Sequence, residues 1–599
     1  MKIHSFHIPV MGVGFTIESP LKVAQYGIDS VVALADDILF EKLRKFYCSE
    51  NNIEYSEIND KCEDFRALRI TSYLNLMNRL VEEKFELFKN NSLKKSEELK
   101  AFFAMLPDRS ILKQEFLAFS SKHFQAKELG DWLKNKIAPG SIDVNIMTKV
   151  DKENYQNGEL LPRIYNDAHS ALRGFAESDL KSSVVFSAGM NPRLYGYMEQ
   201  FEDFYPKIDG AITKKIILKV SDYRSAQIQG RFLAKKGLWV SEYRIESGLN
   251  CGGHAFATEG FLLGPILEDF KKNRNELADS TFQILCNGLE TKGKVVPLHV
   301  LPLKITAQGG VGNAEEHNFL IDHYKLDSVG WGSPFLLVPE ATTVDAETMV
   351  RLAKAKEQDL YLSSISPLGV PFNNLRNNTK DEEKRAKIDR GRPGSACPKK
   401  YLALNKEFTE KGICTASRQY QYLKLKELKK LEISAAELKY LSDEVVDKSC
   451  ICVGLGTSAL INNNISTKVE GDGVSICPGP NMAYFSKVVS LKKMVDHIYG
   501  RSTNLTRENR PNLFIKELGM YIQYLKDKME SSTTLIDKRQ KKYLFNFADN
   551  LKNGIAYYSE LFSNLAKQKV FEKDDLEECL AIQKDRLMNI QWDLERIQM

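Results

Sequence analysis

Short apolar runs alternate with amphipathic segments from residue 9 to residue 338 of the chain. The runs are rich in Val, Ile and Leu, which is typical of strands in a parallel sheet, and the segments between them repeat apolar positions at helical spacing. Eight runs can be counted, at 9–14, 30–35, 142–146, 183–188, 215–220, 238–247, 295–306 and 328–338. Eight strands that alternate with helices predict an α/β fold, a (β/α)8 TIM barrel.

Two parts of the chain break this alternation. Residues 38–137 show only helical spacing, which predicts a large helical insertion after the second strand. Residues 361–414 are rich in Pro, Gly, Asn and charge, so we expect an extended loop there. Helical spacing returns later and predicts an α-helical C-terminal domain. The predicted units are 1–37 (start of the barrel), 38–137 (helical insertion), 138–360 (rest of the barrel), 361–480 (loop-rich extension with cysteines) and 481–599 (helical domain).

The composition is that of a globular protein. Hydrophobic residues make up 43% and charged residues 27% of the 599 residues. The formal net charge of +5 is the balance of 84 basic and 79 acidic residues, which argues against a general affinity for nucleic acid. No run approaches the ~18 consecutive apolar residues of a membrane span, and the first residues lack the apolar core of a signal peptide. We therefore expect a cytoplasmic protein without membrane association.

One stretch carries a local excess of positive charge. Residues 376–400 hold nine basic and four acidic residues. A solvated surface is one explanation of such a run, and the binding of an anionic partner such as RNA is the other. The sequence leaves both interpretations open.

A glycine-rich loop with a single histidine follows the sixth predicted strand. Residues 238–259 read LWVSEYRIESGLNCGGHAFATE, so that Gly252 and Gly253 directly precede His254. Adjacent glycines let a backbone approach a ligand closely, and a histidine at the carboxyl end of a barrel strand suits proton transfer near neutral pH. His254 is the predicted catalytic residue. A tight turn, in which the histidine only hydrogen-bonds the loop, is the alternative.

Two further glycine loops follow the seventh and eighth predicted strands. They read TAQGGVG over 306–312 and GWGSPF over 330–335. In a βα barrel these two loops are the usual phosphate site, where backbone N–H groups bind the anion. The two loops together predict a ligand that carries a phosphate group.

Four segments together resemble a known family. PVMGVGFTIESP, SGLNCGGHAF, TAQGGVGNAEEHNFL and DSVGWGSPFLLVPEAT are similar to the nitronate monooxygenase (2-nitropropane dioxygenase-like) family of FMN-dependent TIM barrels, which also contains FMN-dependent enoyl-ACP reductases. The resemblance covers residues 8–343, interrupted by the insertion. It implies an FMN-dependent oxidoreductase, and the lack of a GxGxxG unit agrees with FMN rather than FAD.

The resemblance also implies roles for single residues. Gly12 and Val13 would lie against the isoalloxazine, Asn145 would contact the flavin, and His254 matches the active-site histidine. The two glycine loops would hold the phosphate. The full predicted cofactor site is Gly12, Val13, Asn145, Lys219, Gly253, Gln308, Gly309, Gly310, Gly312, Gly330, Gly332 and Ser333.

Several charged residues have no place in a nitroalkane pocket. They are Arg173, Lys219, Asp222, Arg244 and Glu246. Ion pairs between barrel layers, such as Arg244 with Glu246, are one explanation, and a different substrate is another. We expect histidine-assisted proton transfer coupled to flavin chemistry of the nitronate monooxygenase type on an unidentified small molecule. The alternatives are a flavin enzyme that modifies RNA, an enoyl-reductase-like enzyme, and an inactive barrel that serves as a binding protein.

The cysteines after the barrel are a separate question. They are Cys397, Cys414, Cys450, Cys452 and Cys477. Their spacing matches no standard cluster motif, so buried free thiols are favoured over a metal or iron–sulfur site, which stays open. Cys251, three residues before His254, is interpreted as a packing residue rather than an active-site thiol. We predict no metal ligand, and the sequence does not indicate an oligomeric state.

Overall fold

The computed structural model describes residues 3–92, 96–120, 132–133, 136–187, 189–507, 509–530, 538–567 and 573–596. Its strands, in chain order, are β1 (Phe6–His7), β2 (Ser30–Ala33), β3 (Ile142–Met147), β4 (Tyr155–Gln156), β5 (Glu159–Leu160), β6 (Ser183–Ser187), β7 (Lys215–Val220), β8 (Val240–Glu246), β9 (Lys304–Gln308), β10 (Ser328–Gly330), β11 (Leu360–Ser363) and β12 (Phe372–Leu375). β4 pairs with β5 and β11 with β12 in two antiparallel hairpins.

The other eight strands form a parallel barrel. Their order is β1-β10-β9-β8-β7-β6-β3-β2, and every neighbouring pair is parallel. The two ends of this order meet where Ile8 pairs with Ser30, and the Ile8 N–H donates to the carbonyl oxygen of Asp29 at 2.9 Å. The predicted (β/α)8 TIM barrel is therefore confirmed.

Three of the predicted strands differ in extent. Residues 9–14 form a loop after β1, because Gly12 adopts a φ of +55° that no strand contains. The run 295–306 is a strand only at its end, in β9, and the run 328–338 is a strand only in β10, followed by a 3₁₀ helix at Ser333–Leu337. Buried loops and buried strands are both apolar, so the sequence pattern does not separate them.

Helices cover the barrel, and the insertion after β2 is helical as predicted. The helices of the barrel are Ser19–Val23, Asp167–Ala176, Pro192–Tyr197, Tyr223–Ala234, Leu263–Thr291, Ala314–Tyr324 and Ala346–Lys354. Those of the insertion are Asp37–Glu50, Phe65–Ser92, Ser96–Met105 and Ile111–Ser120. Part of the insertion has its own apolar core, which contains Phe85, Phe88, Phe102, Phe103 and Phe116. Residues 121–131 of the predicted insertion lie outside the described part of the chain.

The segment after the barrel contains more regular structure than the expected extended loop. Its helices are Thr379–Asp389, Arg418–Leu428, Ala435–Asp447 and Ile451–Asn462. The first of these falls inside 361–414 and corrects the expectation. Asn378 caps it by accepting a hydrogen bond from the Asp381 N–H, and Glu383 pairs with Lys380 one turn away at 2.8 Å. Such caps and charge pairs stabilise a helix that has no apolar stripe.

The C-terminal part is helical, as predicted. Its helices are Leu491–Ile498, Leu513–Glu530, Lys538–Lys567 and Lys573–Arg596. Short 3₁₀ helices lie at Ala24–Tyr26, Arg163–Tyr165, Met198–Gln200, Glu202–Phe204, Ser333–Leu337, Glu357–Asp359 and Pro480–Tyr484. None of the described helices combines the length and the apolar character needed to cross a membrane.

Candidate functional site

A cavity of about 450 Å³ lies at the carboxyl ends of the barrel strands. Its volume is within the roughly 300–1,000 Å³ typical of small-molecule sites, and this end of a TIM barrel carries the active site. His254 lines it. Of the predicted cofactor residues, those that also line the cavity are Gly12, Val13, Asn145, Lys219, Gly253, Gln308, Gly309, Gly310, Gly330, Gly332 and Ser333. Gly312 is not among the lining residues.

The loop that carries His254 is held by the β11–β12 hairpin. His254 pairs with Phe372, the Ala255 N–H donates to the carbonyl oxygen of Pro371, and the Asn373 N–H donates to that of Gly253, both at 2.9 Å. Pairing on both sides of the histidine fixes the backbone of the loop. The Cα of Gly253 faces open space, since an added Cβ would meet no atom within 4 Å.

Among the described residues, the imidazole of His254 hydrogen-bonds one side chain and makes an edge contact with the ring of Phe372. Its Nε2 lies 2.7 Å from the hydroxyl oxygen of Ser366, which also accepts the Leu368 N–H at 3.2 Å. Burial lowers the pKa of His254 to about 4. The ring is therefore neutral near pH 7, so it can accept a proton at one nitrogen and donate a hydrogen bond from the other.

A charged pair also lines the cavity. Lys219 pairs with Glu246 at 2.6 Å, and the Gln308 side-chain amide donates to the same carboxylate at 2.5 Å. Burial, followed by the charge of Glu246, raises the pKa of the Cys251 thiol well above its usual range, so the thiol is protonated. The Oε1 of Gln308 is buried and has no hydrogen-bond partner among the described residues. It is available to a donor group of a ligand.

The other charged residues singled out from the sequence have partners within the protein. Arg244 pairs with Glu242 at 2.7 Å rather than with Glu246, which corrects the ion pair considered from the sequence. Asp222 caps the helix Tyr223–Ala234 by accepting the Ser225 N–H at 2.6 Å. Arg173 pairs with Asp64 of the insertion at 2.5 Å. Of the five charged residues singled out, Lys219 and Glu246 therefore face the cavity.

The glycine loop after β9 is held from behind by the C-terminal part of the chain. The carbonyl oxygens of three successive residues, 310 to 312, each accept a hydrogen bond, from Arg510 at 2.5 Å, Asn481 at 2.7 Å and His497 at 2.9 Å. The Gly312 N–H donates to the carboxylate of Glu316 at 2.9 Å. This N–H is engaged within the protein, so we leave Gly312 out of the proposed cofactor site.

The glycine loop after β10 is more open. A Cβ added to Gly332 would meet only Pro9 at 3.5 Å and Met11 at 3.7 Å, both ordinary contacts. The Ser333 hydroxyl accepts the Gly479 N–H at 2.8 Å and keeps its own proton for another acceptor. The backbone here is accessible from the cavity.

One wall of the cavity comes from the segment after the barrel. The Gly14 N–H donates to the carbonyl oxygen of Leu455 at 2.8 Å, which joins the loop after β1 to the helix Ile451–Asn462. Leu455 and Cys452 of that helix line the cavity. On the strand side, the Asn145 side-chain amide donates to the carbonyl oxygen of Val185 at 3.1 Å, which orients it at the rim.

A buried glutamate connects the C-terminal helices to the His254 loop. Glu517 accepts the hydroxyl of Ser247 at 2.5 Å and the N–H of Leu263 at 2.8 Å. Burial raises its pKa to about 7. Ser247 lines the cavity, so its hydrogen bond to Glu517 joins the C-terminal helices to the cavity wall.

Sequence reasoning missed the residues that support the site from a distance. Ser366, Leu455, Asn481, Arg510 and Glu517 all follow the barrel and lie in segments without a recognisable motif. A buried carboxylate or arginine in an amphipathic helix is visible as an interruption of the apolar stripe, but its partner is not.

Four of the nine basic residues of the stretch 376–400 are paired within the protein. Lys384 pairs with Asp447 and Lys399 with Asp36, each within 2.8 Å, and Lys380 and Lys387 pair with Glu383. These pairs support a structural role for much of the stretch. The binding of RNA stays a prediction.

No known family model matches the chain, and no curated protein matches its sequence. Among solved structures, it is similar to FabK from Thermotoga maritima, with 13% identity, 68% of this chain and 86% of that chain covered, and a TM-score of 0.31. It is also similar to the enoyl reductase domain of MlnA from the macrolactin biosynthesis cluster of Bacillus amyloliquefaciens, with 14% identity, 63% of this chain and 85% of that chain covered, and a TM-score of 0.32. A third similar structure is nitroalkane oxidase from Streptomyces ansochromogenes, with 9% identity, 63% of this chain and 84% of that chain covered, and a TM-score of 0.28. Likenesses this low do not assign a function.

Proposed function

We propose that this protein is an FMN-dependent oxidoreductase in which His254 transfers a proton during the redox reaction of a small molecule. The observation that supports this most is the arrangement of the cavity. A neutral histidine and two glycine loops face one space at the carboxyl end of a TIM barrel.

The residues of the cavity fit FMN in their chemistry. Apolar residues such as Val10, Met11, Val13 and Leu336 offer a surface for a flat ring system. The free Oε1 of Gln308 offers an acceptor to a polar ring edge. Gly309, Gly310, Gly332 and Ser333 would hold the phosphate through backbone N–H groups and a hydroxyl. When bound, FMN supplies hydride or single-electron transfer.

The protein's own groups would position the substrate and move the proton. His254 is neutral, so it can take a proton from a carbon acid at one ring nitrogen, and the hydrogen bond to Ser366 keeps the ring oriented. Lys219, paired with Glu246 at 2.6 Å, lines the same cavity and would orient a polar group of the substrate. Residues that follow the barrel, such as Leu455 and Asn481, form part of the cavity wall.

We infer chemistry of the nitronate monooxygenase type as the first hypothesis for the substrate. An acidic carbon beside a nitro group loses its proton to a base, and His254 and Lys219 line the same cavity as a base and a cation. In an enoyl reductase, His254 would donate a proton instead of accepting one, and the charge of Lys219 would polarise the substrate. Turnover of a nitroalkane compared with an enoyl thioester distinguishes the two.

The test is the cofactor and the histidine together. We expect FMN, identified by mass, to be released when the purified protein is denatured. His254→Ala should slow flavin reduction in a single turnover by roughly 10²–10⁴-fold and leave FMN bound. Because the pKa of His254 is about 4, the rate that depends on it should show no inflection between pH 5.5 and 8.

Ser366→Ala is the matched variant for this test. It removes the hydrogen bond to the imidazole but keeps the base, so a smaller loss is expected. FAD, or no flavin in the purified protein, would overturn the cofactor assignment. A His254→Ala variant that reacts at the parental rate would show that the histidine is a turn residue.

A further inference from the structure

Four of the cysteines lie together between two cavities. The first cavity is the one described above, and Cys452 lines it. The second is an open groove of about 940 Å³, and Cys397 and Cys414 line it. Cys450 lies in the helix N-cap position two residues before Cys452. The thiols thus connect the barrel mouth to the outer groove.

The four thiols fall into two neighbouring pairs. Cys397 and Cys414 line the same groove, and Cys450 and Cys452 lie two residues apart at the start of one helix. In each pair one cysteine is favoured as the thiolate. The hydrogen bond from Cys414 and the charge of Lys400 lower the pKa of Cys397, and the hydrogen bond from Cys452 and the charge of Lys380 lower that of Cys450 to about 6. A thiolate beside a thiol is the arrangement that thiol–disulfide exchange requires.

The groove in front of Cys397 and Cys414 is positively charged. Five cationic side chains line it and no carboxylate does: Arg392, Lys400, Arg418, Lys426 and Lys429. All five are exposed, and none makes an ion pair with another described residue. Tyr422 and Leu425 give the groove an apolar side. These features fit a small anionic molecule with an apolar part.

We propose that Cys397 and Cys414 are a redox-active dithiol that reduces small anionic disulfides bound in the basic groove, with Cys450 and Cys452 as a second pair behind it. The Cys397 thiolate attacks one sulfur of the disulfide and forms a mixed disulfide, and the other half leaves as a thiol. The Cys414 thiolate then attacks the Cys397 sulfur and releases the second half. Two electrons and two protons pass from the dithiol to the ligand.

The inner pair restores the outer one by the same exchange. Cys450 and Cys452 become oxidised as Cys397 and Cys414 are reduced. Reduction of the inner pair from the barrel cavity rests on the proposed function, because bound reduced FMN would supply the electrons there. The exchange at Cys397 and Cys414 needs no flavin, so a failure of either proposal is seen separately.

The first experiment traps the exchange with glutathione disulfide as the probe. The reduced full-length protein is incubated with it, alkylated and mapped by mass spectrometry. We expect a disulfide between Cys397 and Cys414, and in Cys414→Ser a stable glutathione adduct on Cys397. Cys286→Ser, on the helix Leu263–Thr291, is the control and should behave as the parent. Unmodified Cys397 in the folded Cys414→Ser variant would overturn the proposal.

The second experiment tests the charge of the groove. Lys426→Glu should slow oxidation by glutathione disulfide by roughly threefold to tenfold and leave the rate with neutral 2-hydroxyethyl disulfide unchanged. Lys439→Glu, an exposed lysine outside the groove, is the matched control and should change neither rate. Equal effects on both reagents would contradict an anion site.

A metal is the competing explanation of four close cysteines. Within the described residues, no group of three or more His, Cys, Asp or Glu side chains is arranged to hold a metal ion. We therefore expect the protein, purified anaerobically, to contain less than stoichiometric zinc and iron and all four thiols to react with an alkylating reagent after unfolding. Stoichiometric metal that protects these thiols would overturn the dithiol assignment.

Discussion

The two glycine loops of the cavity follow neighbouring strands and have different environments. The loop 309–312 is fastened to the C-terminal part of the chain through its carbonyl oxygens, and one of its N–H groups is bound by Glu316. The loop 330–333 has space beside Gly332 and contacts the later chain through Ser333. The loop 309–312 therefore joins the barrel to the C-terminal part of the chain and also lines the cavity, and we call it the junction. The loop 330–333 mainly lines the cavity.

This difference separates two reasons for the presence of glycine. Gly310 has a φ of +79°, and a Cβ there would lie 2.0 Å from the Asn250 amide, so the fold itself requires glycine. Gly332 has a negative φ of −102° and room for a Cβ, so neither a positive φ nor a close contact requires glycine there. A glycine that the fold does not need is the better candidate for close approach of a ligand.

The largest loss of stability is expected for a substitution at the junction, the loop 309–312 and its partners. Arg510 and Glu316 form a buried bidentate pair at 2.8 Å, with side chains only 5% and 2% exposed. Arg510→Ala leaves the carboxylate buried without its partner and should lower the free energy of unfolding by about 3–5 kcal/mol. Urea unfolding measures this. Arg109→Ala, which breaks an exposed pair with Asp322, should cost less than about 1 kcal/mol. Equal losses of unfolding free energy in the two variants would show that the buried pair at the junction contributes no more than an exposed pair.

The second prediction concerns the pH dependence of stability that Glu517 causes. Glu517 has a folded-state pKa of about 7, above its ordinary value of 4.5, so the folded state binds more protons between these values. The free energy of unfolding therefore falls as pH rises through this window, by up to roughly 3 kcal/mol. Glu517→Gln removes this contribution. We expect the stability of the parent relative to the variant to fall between pH 5 and pH 8, and a constant difference would contradict the buried acid.

Gly310→Ala should have a moderate effect on folding. The added methyl group and the positive φ together should cost about 1–3 kcal/mol. The double variant with Asn250→Ala removes the clash but not the backbone strain, so it should recover part of the loss. Full recovery would show that the conformation at Gly310 is of no consequence.

The smallest effect on stability, and the most specific effect on function, is expected at Gly332. Gly332→Ala should change the free energy of unfolding by less than about 0.5 kcal/mol. If the phosphate lies against this backbone, the variant should nevertheless release flavin more readily, measured by equilibrium dialysis. A variant that retains flavin as the parent does would place the phosphate elsewhere, and Gly310→Ala serves as the comparison.

Many residues that line the cavity could be predicted from the sequence, because their position depends only on the strand that precedes them. His254 and the loop residues Gly309 and Gly332 each follow a strand directly, and parallel strands of a barrel end at the same rim. Locating the strands was therefore enough to bring these residues together. The loop 9–14 was mistaken for a strand, yet Gly12 and Val13 still lie at the rim because they follow β1.

The sequence by itself determined the barrel, the helical insertion and the position of His254, because strand and helix periodicity and the placement of loops after strands are local properties of the chain. The tertiary structure decided what closes the cavity and holds it. Arg510, Glu517 and Leu455 reach the barrel mouth from more than 100 residues beyond its last strand, as does the thiol of Cys452. Their partners are set by the packing of helices against the barrel, and no spacing within the chain records which surfaces will meet.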